Sequence, residues 1–127
     1  MIYTSSFKSL GRLGDCCQLA VSNGLPTWYS GGRYKKLAPP HNLVLLLKET
    51  LKQNNGILSK EDIALFSRTY YYEVLDKLDP NEVYNDLLRI GNGKSVVLLS
   101  QEAEGEYSFR YVIKVWFSKA GLQCEEI

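Results

Sequence analysis

Hydroxyl, amide and carboxylate side chains follow three β-prone runs of the sequence directly. The first run ends in a Thr-Ser-Ser sequence, the second in Ser-Asn-Gly, and the third in Ser-Gln-Glu. In an open parallel sheet the carboxyl ends of the strands share one edge, and ligands bind beyond that edge. The sequence therefore predicts a binding site there, with these candidate residues: Thr4, Ser5, Ser6, Asn23, Ser100 and Glu102.

A basic, aromatic loop at residues 23–40 (NGLPTWYSGGRYKKLAPP) follows the second run. Long loops inside compact domains are often functional, and the aromatic residues favour an ordered loop. Glycine-rich backbone beside basic side chains suits phosphate, and an aromatic ring suits a stacked base, in a small molecule or in single-stranded nucleic acid. No Walker or G-x-G-x-x-G motif is present. The candidate residues of this loop are Trp28, Tyr29, Arg33, Tyr34, Lys35 and Lys36.

Arg110 lies in the first turn of a helix that Ser108 is predicted to cap. A cation near a helix N-terminus is slightly unfavourable for the helix itself. Two explanations fit equally well. Arg110 binds an anionic ligand together with the free amides of the helix, or it pairs with an acid in the preceding segment, namely Glu102, Glu104 or Glu106.

The sequence supplies little for catalysis or metal binding. His41 is the one histidine, and it follows two prolines at a helix start, a position typical of surface or capping residues. No Ser-His-acid or Cys-His set can be assembled. The three cysteines lack zinc-ligand spacing, and Cys16 and Cys17 should face opposite sides of a strand. We therefore expect no metal, no cofactor, no disulfide and buried cysteines.

Length and composition predict one globular domain, residues 1–127. The chain is 45% hydrophobic and 23% charged, far from the composition of disordered proteins. Residues 1–48 hold six basic residues and one acid, whereas the remainder is net acidic, so we expect an anion-attracting face. No apolar run is long enough to cross a membrane, and no secretion signal is evident. We expect a cytoplasmic protein with no membrane partner; self-association stays open.

Strong helix signals separate the strands. Helices are predicted after Pro40, after Ser59 with Asp62 three residues on, after Asp79-Pro80 and after Ser108. The apolar run at residues 95–100 has the pattern of a central strand. The predicted fold is α/β, Rossmann-like: a small, layered, mostly parallel sheet of about four strands with helices on both faces.

Three stretches resemble the small bacterial and phage proteins of the domain of unknown function four-eight-eight family: IYTSSF, WYSGGRYKKLAPP and the segment from VVLLSQEAE to the end. The resemblance implies a Rossmann-type layered domain. The family pattern has Cys before x-Glu at the strand end and Cys-His-Arg at the helix start. Glu102 and Arg110 match, whereas Ser100, Ser108 and Phe109 replace the two cysteines and the histidine. This pattern indicates that binding is retained and turnover is lost.

The first hypothesis is therefore non-enzymatic binding of a small phosphorylated or nucleotide-derived anion, for example sequestration of a signalling nucleotide by a phage anti-defence protein. Two alternatives stay open. One is an enzyme acting on nucleotides or nucleic acid, with Glu102 as acid or base. The other is an inhibitor that binds nucleic acid or protein through the basic loop.

Overall fold

The chain folds around a five-stranded, entirely parallel sheet. The structure is a computed structural model and describes residues 1–12, 14–102 and 106–127. The strands lie in the order β3-β2-β4-β1-β5. The predicted α/β fold class is confirmed, with one strand more than expected. The strands are β1 (Ile2–Ser6), β2 (Cys17–Ala20), β3 (Gly32–Arg33), β4 (Val96–Ser100) and β5 (Cys124–Glu126).

Strand β4 occupies the centre of the sheet, as its continuous apolar sequence predicts. All five of its residues are buried. Leu98 lies opposite Thr4 of β1 on one side and Leu19 of β2 on the other. Ser6 and Ser100 are also in register, so the polar ends of two neighbouring strands meet at the carboxyl edge.

Four α-helices form from the predicted start signals. Ser59 and Asp62 form a reciprocal capping box, and Asp79 caps the helix that Pro80 opens. Among the described residues, none of these helices combines the length and the apolar character needed to span a membrane. The helices are α1 (His41–Gln53), α2 (Lys60–Glu73), α3 (Pro80–Gly91) and α4 (Phe109–Lys119).

The two faces of the sheet are covered unequally. The connections β3 to β4 and β4 to β5 cross the sheet in the same direction, so right-handed crossovers place all four α-helices on one face. The main hydrophobic core lies on that face and contains residues from every α-helix. The connections that lead out of β1 and β2 run the other way. The predicted placement of helices on both faces is therefore wrong for the α-helices. The second face carries a smaller cluster around Phe7 of the 3₁₀ helix Phe7–Arg12, with Leu25 and Tyr29 from the loop.

The adjacent cysteines face opposite layers, as the strand geometry predicts. Cys17 packs against the main core, and Cys16 packs against the cluster on the second face. Neither is fully buried, whereas Cys124 in β5 is buried in the main core. All three cysteines were expected to be buried, and this prediction is confirmed for Cys124 and wrong for Cys16 and Cys17, which are half-buried.

The buried Cys124 thiol leads to a pH prediction. Burial raises its pKa from the ordinary value of 9.0 to about 12. Above pH 9 the unfolded chain loses this proton while the folded chain retains it, so stability present below pH 9 is lost as the pH rises toward 12. We expect the stability advantage of the wild type over Cys124→Ala, measured by urea denaturation, to shrink between pH 8 and pH 11. A stability difference between the wild type and Cys124→Ala that is constant across this range would contradict the burial of the thiol.

Candidate functional site

A cleft of about 710 Å³ opens at the carboxyl edge of the sheet. Its floor includes residues 21–24, which follow β2, and residues 100–102, which end and follow β4. The chain leaves β2 toward one face of the sheet and leaves β4 toward the other. In open parallel sheets, such a point of diverging connections is where a crevice forms and ligands bind. The volume is in the range of small-molecule pockets.

The sides of the cleft are mainly apolar. Helix α1 contributes Val44, Leu45 and Leu47, and Ile57 and Leu58 follow from the connection to α2. Leu45 and Ile57 are exposed at the rim, with 52% and 70% of their surface accessible. Exposed apolar side chains around a concave site are typical of ligand-binding surfaces.

Aromatic rings form part of the cleft wall. Tyr70 of α2, Tyr107 and Phe109 all line it. The Phe109 ring centroid lies 4.9 Å from that of Tyr70 and 5.6 Å from that of Tyr107. The Tyr70 hydroxyl donates to the Leu37 carbonyl at 2.6 Å, and the Tyr107 hydroxyl is 2.8 Å from Ser67 Oγ. These bonds hold the rings in place, and burial raises the pKa of Tyr107.

A buried ion pair lies behind the floor. The Arg110 side chain contributes to the wall of the cleft, yet its exposed fraction is 0%. Its Nε and Nη2 donate to the two carboxylate oxygens of Glu126 in β5, at 3.2 and 2.9 Å. Thr4 Oγ1 of β1 donates to the same carboxylate at 2.6 Å. Arg110 is therefore paired within the protein; its partner is Glu126, and Glu104 lies outside the described residues.

Arg110 also fixes the direction of a hydrogen-bond network that ends at Glu102. Its Nη1 donates to Ser100 Oγ at 2.5 Å, and its backbone N–H donates to Ser108 Oγ at 3.1 Å. Each serine hydroxyl has one proton left to donate. Ser108 Oγ lies 2.8 Å from Glu102 Oε1, and Ser100 Oγ lies 3.2 Å from Ser108 Oγ and 3.3 Å from Glu102 Oε1. With either acceptor for Ser100, Glu102 Oε1 is the acceptor at the end of the network.

The predicted anion site at the start of α4 is occupied by protein groups. Ser108 caps the helix, as predicted, and the Glu102 carboxylate binds the cap. The Glu102 backbone carbonyl accepts from Arg110 at 2.8 Å. An internal carboxylate therefore stands where a ligand phosphate was expected.

The cleft lining carries charges of both signs. Glu102 and Glu106 line it beside the end of β4 and the start of α4, and Arg110, which also lines it, is neutralised by Glu126. Lys48 and His41 of α1 line it as well and are exposed. The acidic groups therefore come from the connection between β4 and α4, and the positive charge of Lys48 comes from α1.

The three candidates on β1 are buried and bonded within the protein. Thr4 donates to Glu126, Ser5 Oγ donates to the Ile127 carbonyl at 2.9 Å, and Ser6 Oγ lies 3.3 Å from Ser9 Oγ. None of the three lines the cleft. Their hydroxyls anchor the carboxyl end of β1 to its neighbours.

The basic, aromatic loop is divided between several surfaces. Trp28 and Tyr29 pack edge-on against Phe7 on the second face, with ring centroids 6.3 and 5.0 Å away. Asn23 lines the cleft and donates to the Pro39 carbonyl at 2.6 Å. Arg33, which is exposed, donates to the Asn23 carbonyl at 3.2 Å. The structure therefore brings Asn23, and not the predicted stacking rings, to the cleft.

Tyr34 and Lys36 line a separate, shallower cavity of about 490 Å³ beside α3. The buried Tyr34 hydroxyl donates to Asp86 at 2.8 Å, which lowers the pKa of Asp86; burial raises the pKa of Tyr34. Asp86 also pairs with Arg89. Lys35 is exposed and lines neither cavity. Of the thirteen candidates, only four line the cleft: Asn23, Ser100, Glu102 and Arg110.

Sequence reasoning missed Lys48, Tyr107 and Phe109, and treated His41 as a surface or capping residue. Tyr107 and Phe109 flank the predicted cap of α4, so their closeness to Glu102 follows from the strand-to-helix connection. Lys48 gave no such signal, because only the packing of α1 against the main core brings it to the cleft.

Metal binding has no supporting cluster. Within residues 1–12, 14–102 and 106–127, no three His, Cys, Asp or Glu side chains are grouped in a way that would hold a metal ion. No protein-family model, curated protein or solved structure matches the chain. The resemblance to the domain of unknown function four-eight-eight family therefore stays a prediction.

The buried ion pair should dominate the stability of this region. Arg110→Met leaves Glu126 without its cation, so we expect the free energy of unfolding to fall by about 3 to 5 kcal/mol. The control is Arg89→Met, because Arg89 also pairs with a carboxylate but its side chain is 78% exposed. That change should cost less than about 1 kcal/mol. Urea denaturation measures both; equal losses would contradict the structural role of Arg110.

Proposed function

We propose that the protein binds a small nucleotide-derived ligand in the cleft between the ends of β2 and β4 and holds it without turnover. The observation that carries the proposal is the position of the cleft, where the connections from two neighbouring strands diverge at the carboxyl edge. This is the general ligand-binding position of open parallel sheets.

The lining supports a ligand with a flat, weakly polar ring and a polar substituent. Leucine, isoleucine and aromatic side chains provide apolar contact for a base, and Glu102 and Gln101 offer hydrogen-bonding groups beside the end of β4. Lys48, an exposed residue of α1 in the cleft lining, is suited to a single phosphate. The Glu102 carboxylate would repel a polyphosphate near the end of β4, so we propose a nucleoside or a nucleoside monophosphate.

Buried hydroxyls support binding without chemistry. Ser108 has an exposed fraction of 0% and Ser100 one of 5%, and both hydroxyls accept from Arg110 and donate within the protein, which disfavours their attack on a ligand. A serine nucleophile also needs an adjacent strong base. Glu102 accepts a hydrogen bond from Ser108 in the resting structure. Sequestration follows from binding alone; the phage anti-defence role stays a prediction.

The binding proposal predicts that a nucleoside monophosphate stabilises the protein against heat. Ligand at 100 times its Kd adds about 2.7 kcal/mol to the free energy of unfolding. Lys48→Met should weaken binding of the monophosphate about tenfold and leave binding of the parent nucleoside unchanged, because only the monophosphate has a charge to pair. Titration calorimetry with nucleosides, monophosphates and triphosphates of all four common bases measures these affinities.

The matched control is Lys35→Met, which removes an exposed lysine that lies outside the cleft. It should leave both affinities unchanged. Equal losses in the two lysine variants would place the phosphate elsewhere. Failure of every nucleoside and nucleotide to bind would overturn the proposed function.

The absence of turnover is a separate prediction. After hours of incubation with the tightest-binding ligand, denaturation should release intact ligand in stoichiometric amount, as measured by chromatography and mass spectrometry. Conversion over many turnovers that disappears in Glu102→Gln would instead establish the enzyme alternative, with Glu102 as acid or base.

A further inference from the structure

The directions of the hydrogen bonds around Arg110 determine which ligand groups Glu102 can bind. Arg110 donates to both Ser100 and Ser108, so each hydroxyl directs its own proton to another acceptor. Ser108 donates to Glu102 Oε1, and Ser100 donates either to Ser108 Oγ or to the same Oε1. Neither serine contacts Oε2 of the same carboxylate, and Glu102 is part of the cleft lining and half-buried.

We propose that Glu102 is the specificity-determining residue of the cleft and that its Oε2 accepts a hydrogen bond from an exocyclic amino group of the ligand base. This inference rests on the proposed function. An ionised carboxylate only accepts hydrogen bonds, so it favours a base edge that carries a donor and disfavours one that carries a carbonyl. A phosphate on the same ligand would pair with Lys48 of α1, which also lines the cleft.

Preorganisation strengthens the selectivity. The serines fix one carboxylate oxygen, and a buried arginine fixes the serines, so Glu102 does not have to be ordered when the ligand binds. A ligand that lacks the donor leaves a partly buried carboxylate oxygen without its hydrogen bond, which costs more than the loss of one contact in water.

The substitution Glu102→Gln is expected to reverse the preference for an amino group on the base. In Glu102→Gln we expect the amide oxygen to take the position of Oε1, because the Ser108 hydroxyl donates its proton there. The amide NH₂ then takes the position of Oε2. A donor replaces an acceptor at the ligand, with almost no change in shape, so the variant should prefer a base with a carbonyl.

The test compares adenosine, which has a 6-amino group, with purine riboside, which lacks it, and inosine, which has a 6-carbonyl; cytidine and uridine form a second pair. We expect the wild type to bind the amino nucleoside at least tenfold more tightly than its partners in at least one series. Glu102→Gln should lose this preference or reverse it toward the carbonyl nucleoside. The control is Glu82→Gln, on the exposed surface of α3 outside the cleft, which should retain the wild-type preference.

The outcomes distinguish this inference from the proposed function. Nucleoside binding with equal affinities in both series, or a preference that survives in Glu102→Gln, would overturn the role of Glu102 and leave the proposed function standing. No binding of any nucleoside would overturn both. The comparison within the wild type does not depend on the variant, and circular dichroism with thermal unfolding checks that the variants fold.

Discussion

The ion pair between Arg110 and Glu126 connects most of the carboxyl edge of the sheet. A guanidinium with no exposed surface is tolerated only where its charge and its N–H groups are matched. Here the carboxylate comes from β5, a hydroxyl that supports the carboxylate comes from β1, and a second hydroxyl comes from β4. Three adjacent strands are thereby tied to the first turn of α4. Strand β5 has three residues and lies at the edge of the sheet beside β1, so this ion pair supplies much of its specific attachment.

Local sequence signals were sufficient to predict most of the fold. Capping chemistry located the starts of α2 and α3, and the buried apolar run located the central strand. Strand β3 was not predictable in this way, because it consists of Gly32 and Arg33, which have no strand propensity, and it is defined only by pairing with β2. The unequal faces follow from strand order, and strand order is a long-range property that no local pattern contains.

The location of the candidate site was more predictable than its chemistry. The rule for parallel sheets placed Ser100, Glu102 and Arg110 together, and the structure places them in one network. The partner of Arg110 was missed because Glu126 lies on a separate strand, and its closeness depends on β1 lying between β4 and β5. The basic loop was given too large a role because its charges are close in sequence, yet its residues are divided between two cavities and the second face.

The pairing of Arg110 with Glu126 and the dispersal of the loop cations together change the chemistry expected of the cleft. A free arginine and a cluster of loop cations would make an anion site at the end of β4. With the arginine neutralised and the loop cations elsewhere, Glu102 is the charged group beside Ser100 and Ser108, and Lys48 of α1 carries the positive charge in the cleft lining. The cap hydroxyl of α4 already donates to this internal carboxylate, where a ligand phosphate was expected. In the proposed complex the burial of Arg110 therefore determines which group of the ligand meets the end of β4: the same arginine that ties the strands together orders the acceptor that recognises the base.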